Sequence, residues 1–204
     1  NRIYANRFDN LQVGRCRYGI MLREDGFVRD DGTTSRLDAT HYLMTTTTAN
    51  AVTVMQLVER LLQVDWPDLD LYATSVTENW SAAALSGPKS RALVAELVDI
   101  DVSNDAFPFL AVASCNVRTA EGSVPARLFR MSYSGELAYE VNVPANMGRA
   151  VWEALIAAGA EFDITPYGTE TMHVLRAEKG YIIVGQDTDG SVTPHDLGMG
   201  GLVA

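Results

Sequence analysis

The sequence predicts an α+β fold in which helices pack on an antiparallel or mixed sheet. Two patterns support this prediction. Short runs of alternating apolar and polar residues are joined by tight turns, and longer segments repeat apolar residues every three or four positions. The strand and helix patterns do not alternate regularly, which argues against a parallel βαβ sheet. We therefore expect antiparallel hairpins with helices packed against them.

The N-terminal third is predicted to be mainly strand. Residues 17–37 contain short strand patterns, separated by the turn-forming residues Asp25-Gly26 and Asp30-Asp31-Gly32. The β-branched stretch 41–48 predicts a further strand. Asn50 is then expected to cap a helix that ends at Trp66-Pro67, with an apolar stripe formed by Val54, Leu57, Val58, Leu61 and Leu62.

The rest of the chain continues the mixed pattern. It predicts two strands within residues 69–87 and a hairpin about Glu121-Gly122. A helix is expected after Pro88, with Leu93, Val94 and Leu97 facing inward. Another helix is expected after Pro144, with an apolar stripe formed by Val151, Trp152, Leu155 and Ile156. A last helix is expected from about Gly168 to Lys179, ending at Gly180.

Residues 186–204 show no periodicity. We therefore expect a single domain over residues 1–185, followed by a connection over residues 186–204.

Composition narrows the class of function. The net charge of −10 argues against binding to nucleic acid or to anionic lipid, and no apolar run reaches the roughly 20 residues of a membrane span. With two cysteines, Cys16 and Cys115, the chain fits a reducing compartment, and we expect a cytoplasmic protein. No glycine-rich nucleotide loop is present, and the histidines lack metal-ligand spacing, so no metal site is expected.

One predicted strand carries an unusual carboxylate. In residues 127–146, RLFRMSYSGELAYEVNVPAN, the residues Leu137, Tyr139, Val141 and Val143 alternate onto one face. Glu140 then lies on the other face, beside Ala138 and Asn142. Glutamate is depleted in strand interiors. The residue is therefore either a binding group or part of a solvated sheet face, and the spacing alone leaves both interpretations open.

Three long stretches resemble a known family. They are NRIYANRFDNLQVGRCRYGIMLREDGFVRDDGTTSRL, YLMTTTTANA and YGTETMHVLRAEKGYIIVGQDTDGSVTPHDLGM. They resemble the folate-binding region of heterotetrameric sarcosine oxidase alpha subunits, which is similar to the glycine-cleavage T-protein (aminomethyltransferase) and to the C-terminal half of dimethylglycine oxidase. The resemblance covers essentially the whole chain. It implies the T-protein folate-binding fold, truncated within its first helix and ending before a small C-terminal barrel.

The resemblance also implies site residues and a reaction. Tyr133 and Glu140 match a tyrosine and glutamate pair, seven residues apart, that binds the pterin ring of tetrahydrofolate. Asp31 matches a catalytic aspartate in a turn, and Tyr18 matches a tyrosine beside the folate. The implied reaction captures the one-carbon unit of a sarcosine-derived imine, giving 5,10-methylenetetrahydrofolate and glycine. FAD, FMN and NAD are expected elsewhere in the oxidase complex and not in this chain, which alone is not expected to be an oxidase.

One departure from the family leaves a second hypothesis open. In the last helix Met172 stands where the T-protein has a folate-site arginine, while Arg176 matches a second arginine of that site. Arg176 could bind folate, or it could form a structural ion pair with Glu170 or Glu178. Retention of the other site residues favours a folate-dependent enzyme domain with the other oxidase subunits as partners. Met172 favours a non-catalytic module that serves assembly of the oxidase.

Overall fold

The computed structural model describes residues 2–204, which form two compact units. The first contains the described residues up to Thr77 together with Ile183–Ala204, and the second contains Glu78–Ile182. The tail beyond residue 185 is thus grouped with the first unit. Hydrogen bonds explain this grouping, because the Arg23 guanidinium donates to the Gly190 carbonyl (2.6 Å) and the Val28 N–H donates to the Val192 carbonyl (2.8 Å).

The sheet of the first unit is antiparallel and has three strands. They are β1 (Arg15–Leu22), β2 (Val28–Arg36) and β3 (Tyr42–Met44), in the order β1-β2-β3. The predicted turn at Asp25-Gly26 is confirmed, since Gly26 has a φ of 86° and its N–H donates to the Arg23 carbonyl. β3 is shorter than predicted and ends before Thr45.

The second predicted turn is wrong. Asp30, Asp31 and Gly32 lie within β2, where they pair with Met21, Ile20 and Gly19 of β1. The reason is a contact distant in sequence: the position of a Cβ on Gly32 would lie only 2.0 Å from the Thr45 carbonyl oxygen. The glycine therefore lets another segment approach the strand closely and does not turn the chain.

The helix of the first unit begins where the sequence predicts. Helix α1 (Ala51–Arg60) follows Asn50, whose side chain makes no capping bond, and continues as a π-helical turn (Leu61–Asp65) before Trp66. Of the predicted stripe, Val54 is buried and Val58 packs partly against the same core. That core is small and contains Tyr4, Phe8, Leu11, Met21 and Val54.

The second unit is built on a four-stranded antiparallel sheet. Its strands are β4 (Trp80–Ser86), β5 (Val112–Thr119), β6 (Gly122–Phe129) and β7 (Ala138–Pro144), in the order β4-β7-β6-β5. The predicted hairpin about Glu121-Gly122 is confirmed as the β5-β6 pair. Of the two strands predicted in residues 69–87, only β4 forms.

Three helices complete the second unit. They are α2 (Ser90–Leu97), α3 (Gly148–Gly159) and α4 (Thr169–Lys179). Residues of α2 and α3 join one sheet face in the main core, which includes the fully buried Tyr139, Val141 and Val143. The predicted facing of β7 and the α+β fold class are therefore confirmed. Trp152, expected in the buried stripe, is 49% exposed, and α4 ends at Gly180 in the left-handed conformation as predicted.

Candidate functional site

The first unit brings two of the predicted site residues together. Tyr18 on β1 lies diagonally across from Asp31 on β2, and its hydroxyl donates to Asp31 Oδ2 at 2.8 Å. The Thr47 hydroxyl donates to Asp31 Oδ1 at 3.4 Å. Burial raises the pKa of Asp31, whereas the bonds from Tyr18 and Thr47 partly offset the rise and the charge of Asp30 adds to it. The carboxyl group therefore binds a proton more readily than an ordinary aspartate.

The neighbouring Asp30 has a different environment. Because adjacent strand residues face opposite ways, Asp30 lies on the other face of β2 from Asp31, where it is fully buried. Its Oδ1 accepts a hydrogen bond from the Thr47 N–H at 3.4 Å, and its Oδ2 has no hydrogen-bond partner among residues 2–204. Thr47 thus contacts both aspartates. The sequence analysis missed Thr47 because the threonine run offered no feature that distinguishes one threonine from another.

Glu140 lies in the middle of β7, on the sheet face opposite the main core. Its neighbours across the sheet are Ala84 of β4 and Phe129 of β6. Within residues 2–204 its carboxylate forms no hydrogen bond or ion pair, and burial alone raises its pKa. Ala84 is exposed, so space is open beside the carboxylate on one side. A half-buried carboxylate in this state has unused acceptor sites for a donor ligand.

The same face carries a cation that the sequence analysis missed. Arg127 on β6 pairs with Asn142 on β7, and its guanidinium carbon lies 4.2 Å from the ring centroid of Trp80 on β4. Burial lowers the pKa of Arg127. No carboxylate within the described part of the chain pairs with it. Finding this residue from sequence would have required the strand order, because β4 and β6 are both neighbours of β7 and are remote from each other along the chain.

Tyr133 lies in the loop before β7. Its hydroxyl donates to the Ile182 carbonyl at 2.9 Å, and its ring stacks on Tyr181 with centroids 6.3 Å apart. Arg176, which is 6% exposed, donates to the Tyr181 carbonyl at 2.9 Å. These contacts tie Tyr133 and Arg176 to one loop, residues 181–182. Met172, on the same helix as Arg176, lies in a groove beside the free edge of β4.

Other chemistries find little support in the described residues. Residues 2–204 contain no group of three His, Cys, Asp or Glu side chains arranged to hold a metal ion. Cys16 and Cys115 are buried, and burial raises the pKa of the Cys115 thiol to about 11, so Cys115 is not a thiolate nucleophile at neutral pH. None of the helices in this part of the chain combines the length and apolar character needed to cross a membrane.

The two antiparallel sheets, each bearing a carboxylate whose pKa burial raises, define an α+β domain with a candidate site in each unit. The chain belongs to the family of the GCVT N-terminal domain, whose model matches residues 1–204.

Relatives and solved structures agree with this assignment. The chain is 56% identical over 200 residues to the sarcosine oxidase subunit alpha of Corynebacterium sp. (strain P-1), covering 98% of this chain and 20% of that protein. It thus spans about a fifth of this curated relative.

Two solved structures share the fold. The glycine cleavage system aminomethyltransferase T of Bartonella henselae aligns with a TM-score of 0.79 and 22% identity, covering 98% of this chain and 51% of that one. The heterotetrameric sarcosine oxidase of Corynebacterium sp. U-96, in complex with pyrrole 2-carboxylate, aligns with a TM-score of 0.52 and 15% identity, covering 73% of this chain and 72% of that one.

Proposed function

We propose that this chain is the tetrahydrofolate-binding part of a sarcosine oxidase alpha subunit. In this proposal it captures the one-carbon unit of a sarcosine-derived imine, and the products are 5,10-methylenetetrahydrofolate and glycine. The observation that carries the proposal is the half-buried Glu140 carboxylate, which has no partner among residues 2–204. The 56% identity to the sarcosine oxidase subunit alpha of Corynebacterium sp. (strain P-1) supports the choice of reaction.

Glu140 is the residue proposed to hold the pterin ring. The edge of a pterin presents adjacent N–H donors in a plane, which one carboxylate can accept together, much as it accepts an arginine fork. Burial without a partner disfavours the charged carboxylate, as the raised pKa of Glu140 indicates. A donor ligand would relieve that penalty. The exposed Ala84 beside Glu140 leaves room for a flat ring.

Asp31 is the residue proposed to act on protons. When tetrahydrofolate is bound, it supplies the amine nitrogens that take up the one-carbon unit. Asp31 stabilises the positive charge of the iminium and accepts the proton that is lost when the second nitrogen forms its bond to carbon. Tyr18 and Thr47 hold both carboxylate oxygens, which fixes the orientation of the base before substrate arrives.

Tyr133 and Arg176 are proposed to shape the folate site. The Tyr133 hydroxyl is bonded to the backbone of the 181–182 loop and its ring is stacked on Tyr181, so the position of the ring is fixed before a ligand binds. Arg176 donates to the Tyr181 carbonyl of the same loop and would thereby help to hold the loop on which Tyr133 rests. In the complete oxidase, the other subunits and the FAD, FMN and NAD sites would lie outside this chain, where sarcosine is oxidised to the imine.

Met172 favours a second candidate function. If loss of the family arginine abolishes folate binding, the domain would serve only the assembly of the oxidase. Titration calorimetry with tetrahydrofolate separates the two. If the domain is an enzyme, the wild-type protein should bind tetrahydrofolate. Glu140→Ala should bind it about ten-fold or more weakly, because a charged hydrogen bond contributes about 1.5–3 kcal/mol. The control Glu136→Ala, which changes an exposed glutamate, should bind as tightly as wild type. Absence of binding to wild type would support the assembly role instead.

A further inference from the structure

The sheet face that carries Glu140 is exposed along β4, whereas Phe129 on β6 is buried, with 4% of its surface exposed. Alternate residues of three adjacent strands share this face, in rows fixed by the register: Ala84, Glu140 and Phe129 form one row, and Ala82, Asn142 and Arg127 form the next. Ala82 and Ala84 are exposed, and Asn142 and Arg127 are partly exposed. The helices α2 and α3 contribute to the core on the opposite face. This surface, formed by the two rows, is the Glu140 face.

Arg127 crosses this face to reach Trp80. The two residues lie on β6 and β4, which are separated by β7, yet the guanidinium carbon is 4.2 Å from the Trp80 ring centroid. The side chain therefore spans β7 and presents its planar group above the first residue of β4. Stacking on an indole holds a guanidinium by its flat side and leaves its N–H edge available to an acceptor.

This arginine has no anionic partner within residues 2–204, although acidic residues outnumber basic ones, 26 to 16, in the sequence. Other arginines behave differently: Arg149 pairs with Glu153, and Arg23 pairs with Asp25. The Glu140 face thus holds one unpaired carboxylate and one unpaired guanidinium. Such a pattern is complementary to a ligand with N–H donors at one end and an anion at the other.

The distance along β4 from the Glu140 row to Trp80, on whose ring Arg127 lies, can be estimated from the register. Glu140 pairs with Ala84, and Trp80 lies four residues further along β4. At about 3.3 Å per residue this places the Trp80 end roughly 13 Å from the Glu140 row. Between them the exposed residues of β4 on this face are the alanines Ala82 and Ala84. An extended ligand could therefore lie along the strand without meeting a large side chain of β4.

We propose that Arg127, held on Trp80, binds the glutamate carboxylate of tetrahydrofolate while Glu140 binds the pterin. This inference rests on the proposed function and adds a residue that selects for the acidic tail. In folate the aminobenzoyl group separates the pterin from the glutamate, which matches two charged groups set well apart on one face. Arg127 would also supply a cation in place of the T-protein arginine whose position on α4 is occupied here by Met172.

The test compares two ligands in the intact protein: tetrahydrofolate, and a tetrahydropterin that lacks the aminobenzoylglutamate tail. Each is titrated into wild type, Arg127→Gln, Arg127→Lys and the control Arg149→Gln. The control removes the same charge from an exposed helix position that is ion-paired with Glu153. Arg127→Lys keeps the charge but loses the planar fork. Thermal unfolding of each variant checks that the fold is retained.

In wild type we expect tetrahydrofolate to bind at least ten-fold more tightly than the tail-less pterin, with a preference that falls as salt rises. Arg127→Gln should remove most of that preference by weakening tetrahydrofolate about ten-fold, and should leave the pterin within two-fold. Arg127→Lys should keep part of the preference, and Arg149→Gln all of it.

Four results would overturn the inference. Equal weakening of both ligands by Arg127→Gln would mean that the arginine only packs against Trp80. The tail would bind elsewhere if folded Arg127→Gln kept the full preference for tetrahydrofolate over the tail-less pterin. If the glutamine variant does not fold, the same result in Arg127→Lys would lead to the same conclusion. A wild-type protein that binds both ligands equally would lack a tail site, although the proposed function would survive. A wild type that binds neither ligand would overturn the proposed function as well.

Discussion

The two carboxylates with raised pKa values, Asp31 in the first unit and Glu140 in the second, differ in how they are satisfied. Asp31 receives hydrogen bonds from the hydroxyls of Tyr18 and Thr47. Glu140 receives none from residues 2–204, and its pKa is raised by burial alone. One carboxylate is thus held by the protein itself, and the other has its acceptor sites unused.

This difference indicates different tasks. A base must be oriented before the reaction, and fixed donors on both oxygens provide that orientation at a cost that folding has already met. A ligand-binding group gains most when its partner arrives from outside, because its hydrogen bonds then form only in the complex. We therefore expect substitutions at Asp31 to affect the chemical step and substitutions at Glu140 to affect binding.

The largest expected effect is at Asp31. Asp31→Asn keeps the size of the side chain and an oxygen that can accept the Tyr18 bond, but it removes the proposed base. In the oxidase of the proposed function, formation of methylenetetrahydrofolate should fall by about 10²-fold or more, with tetrahydrofolate affinity within a few-fold of wild type. Sarcosine oxidation should continue, and formaldehyde should replace the folate product. A wild-type ratio of formaldehyde to methylenetetrahydrofolate would remove Asp31 from the chemistry.

Glu140→Gln should show the converse pattern. The amide keeps one acceptor and introduces donors that oppose the pterin N–H groups, so tetrahydrofolate should bind about ten-fold or more weakly. At saturating tetrahydrofolate the product ratio should return to that of wild type. Calorimetry and product analysis on the same preparation measure both quantities. If the ratio stays low at saturation, Glu140 acts in the reaction and the division of tasks is wrong.

A smaller effect is expected from the donors to Asp31. The Tyr18 bond favours the ionised carboxylate, so Tyr18→Phe should raise the pKa of Asp31 further. In the proposed function Asp31 acts as a base only when it is ionised, and the acid limb of the pH–rate profile should therefore move to higher pH. Thr47→Val should move it in the same direction by less, because the Thr47 bond has the weaker influence.

The control for these profiles is Tyr72→Phe, which changes a tyrosine that is 95% exposed. Its acid limb should coincide with that of wild type. A shift to lower pH in Tyr18→Phe would show that Asp31 does not act as the ionised base.

The smallest expected effect is on stability. Burial raises the pKa of Glu140 above its unfolded value, so the folded state favours the protonated form. The contribution of the protonated carboxyl group to the free energy of unfolding is fully present below the unfolded pKa of about 4.3, and it is lost as pH rises through the folded pKa. Without ligand, Glu140→Gln should therefore unfold at a higher temperature than wild type at pH 7, and the gap should close near pH 4. A gap that widens toward acid pH would mean that Glu140 is stabilised as an anion.

Much of the fold could be predicted because it depends on local pattern. The alternation of Tyr139, Val141 and Val143 fixed the facing of β7 and left Glu140 on the other side. The start of α1 after Asn50 and the end of α4 at Gly180 were predicted from local residues, although the Asn50 side chain makes no capping bond. These features need only residues that are near one another in sequence.

The errors arose where distant contacts decide the structure. Asp30-Asp31-Gly32 has the composition of a turn, and only its pairing with β1 and the approach of Thr45 make it a strand. Arg127 escaped notice because its position beside Trp80 depends on the order β4-β7-β6. Thr47 escaped notice because its contacts with the two aspartates span 16 and 17 residues of sequence.

Gly32 has a consequence for how this chain tolerates sequence change. The site of a Cβ on Gly32 lies 2.0 Å from the Thr45 carbonyl oxygen, so any other residue must displace the segment that leads to Thr47. Thr47 touches Asp30 through its N–H and Asp31 through its hydroxyl. In a saturation mutagenesis screen, position 32 should therefore be as intolerant as Asp31, although it offers no atom to substrate. The residues tolerated at position 32 are thus limited by the need to keep Thr47 in contact with Asp30 and Asp31.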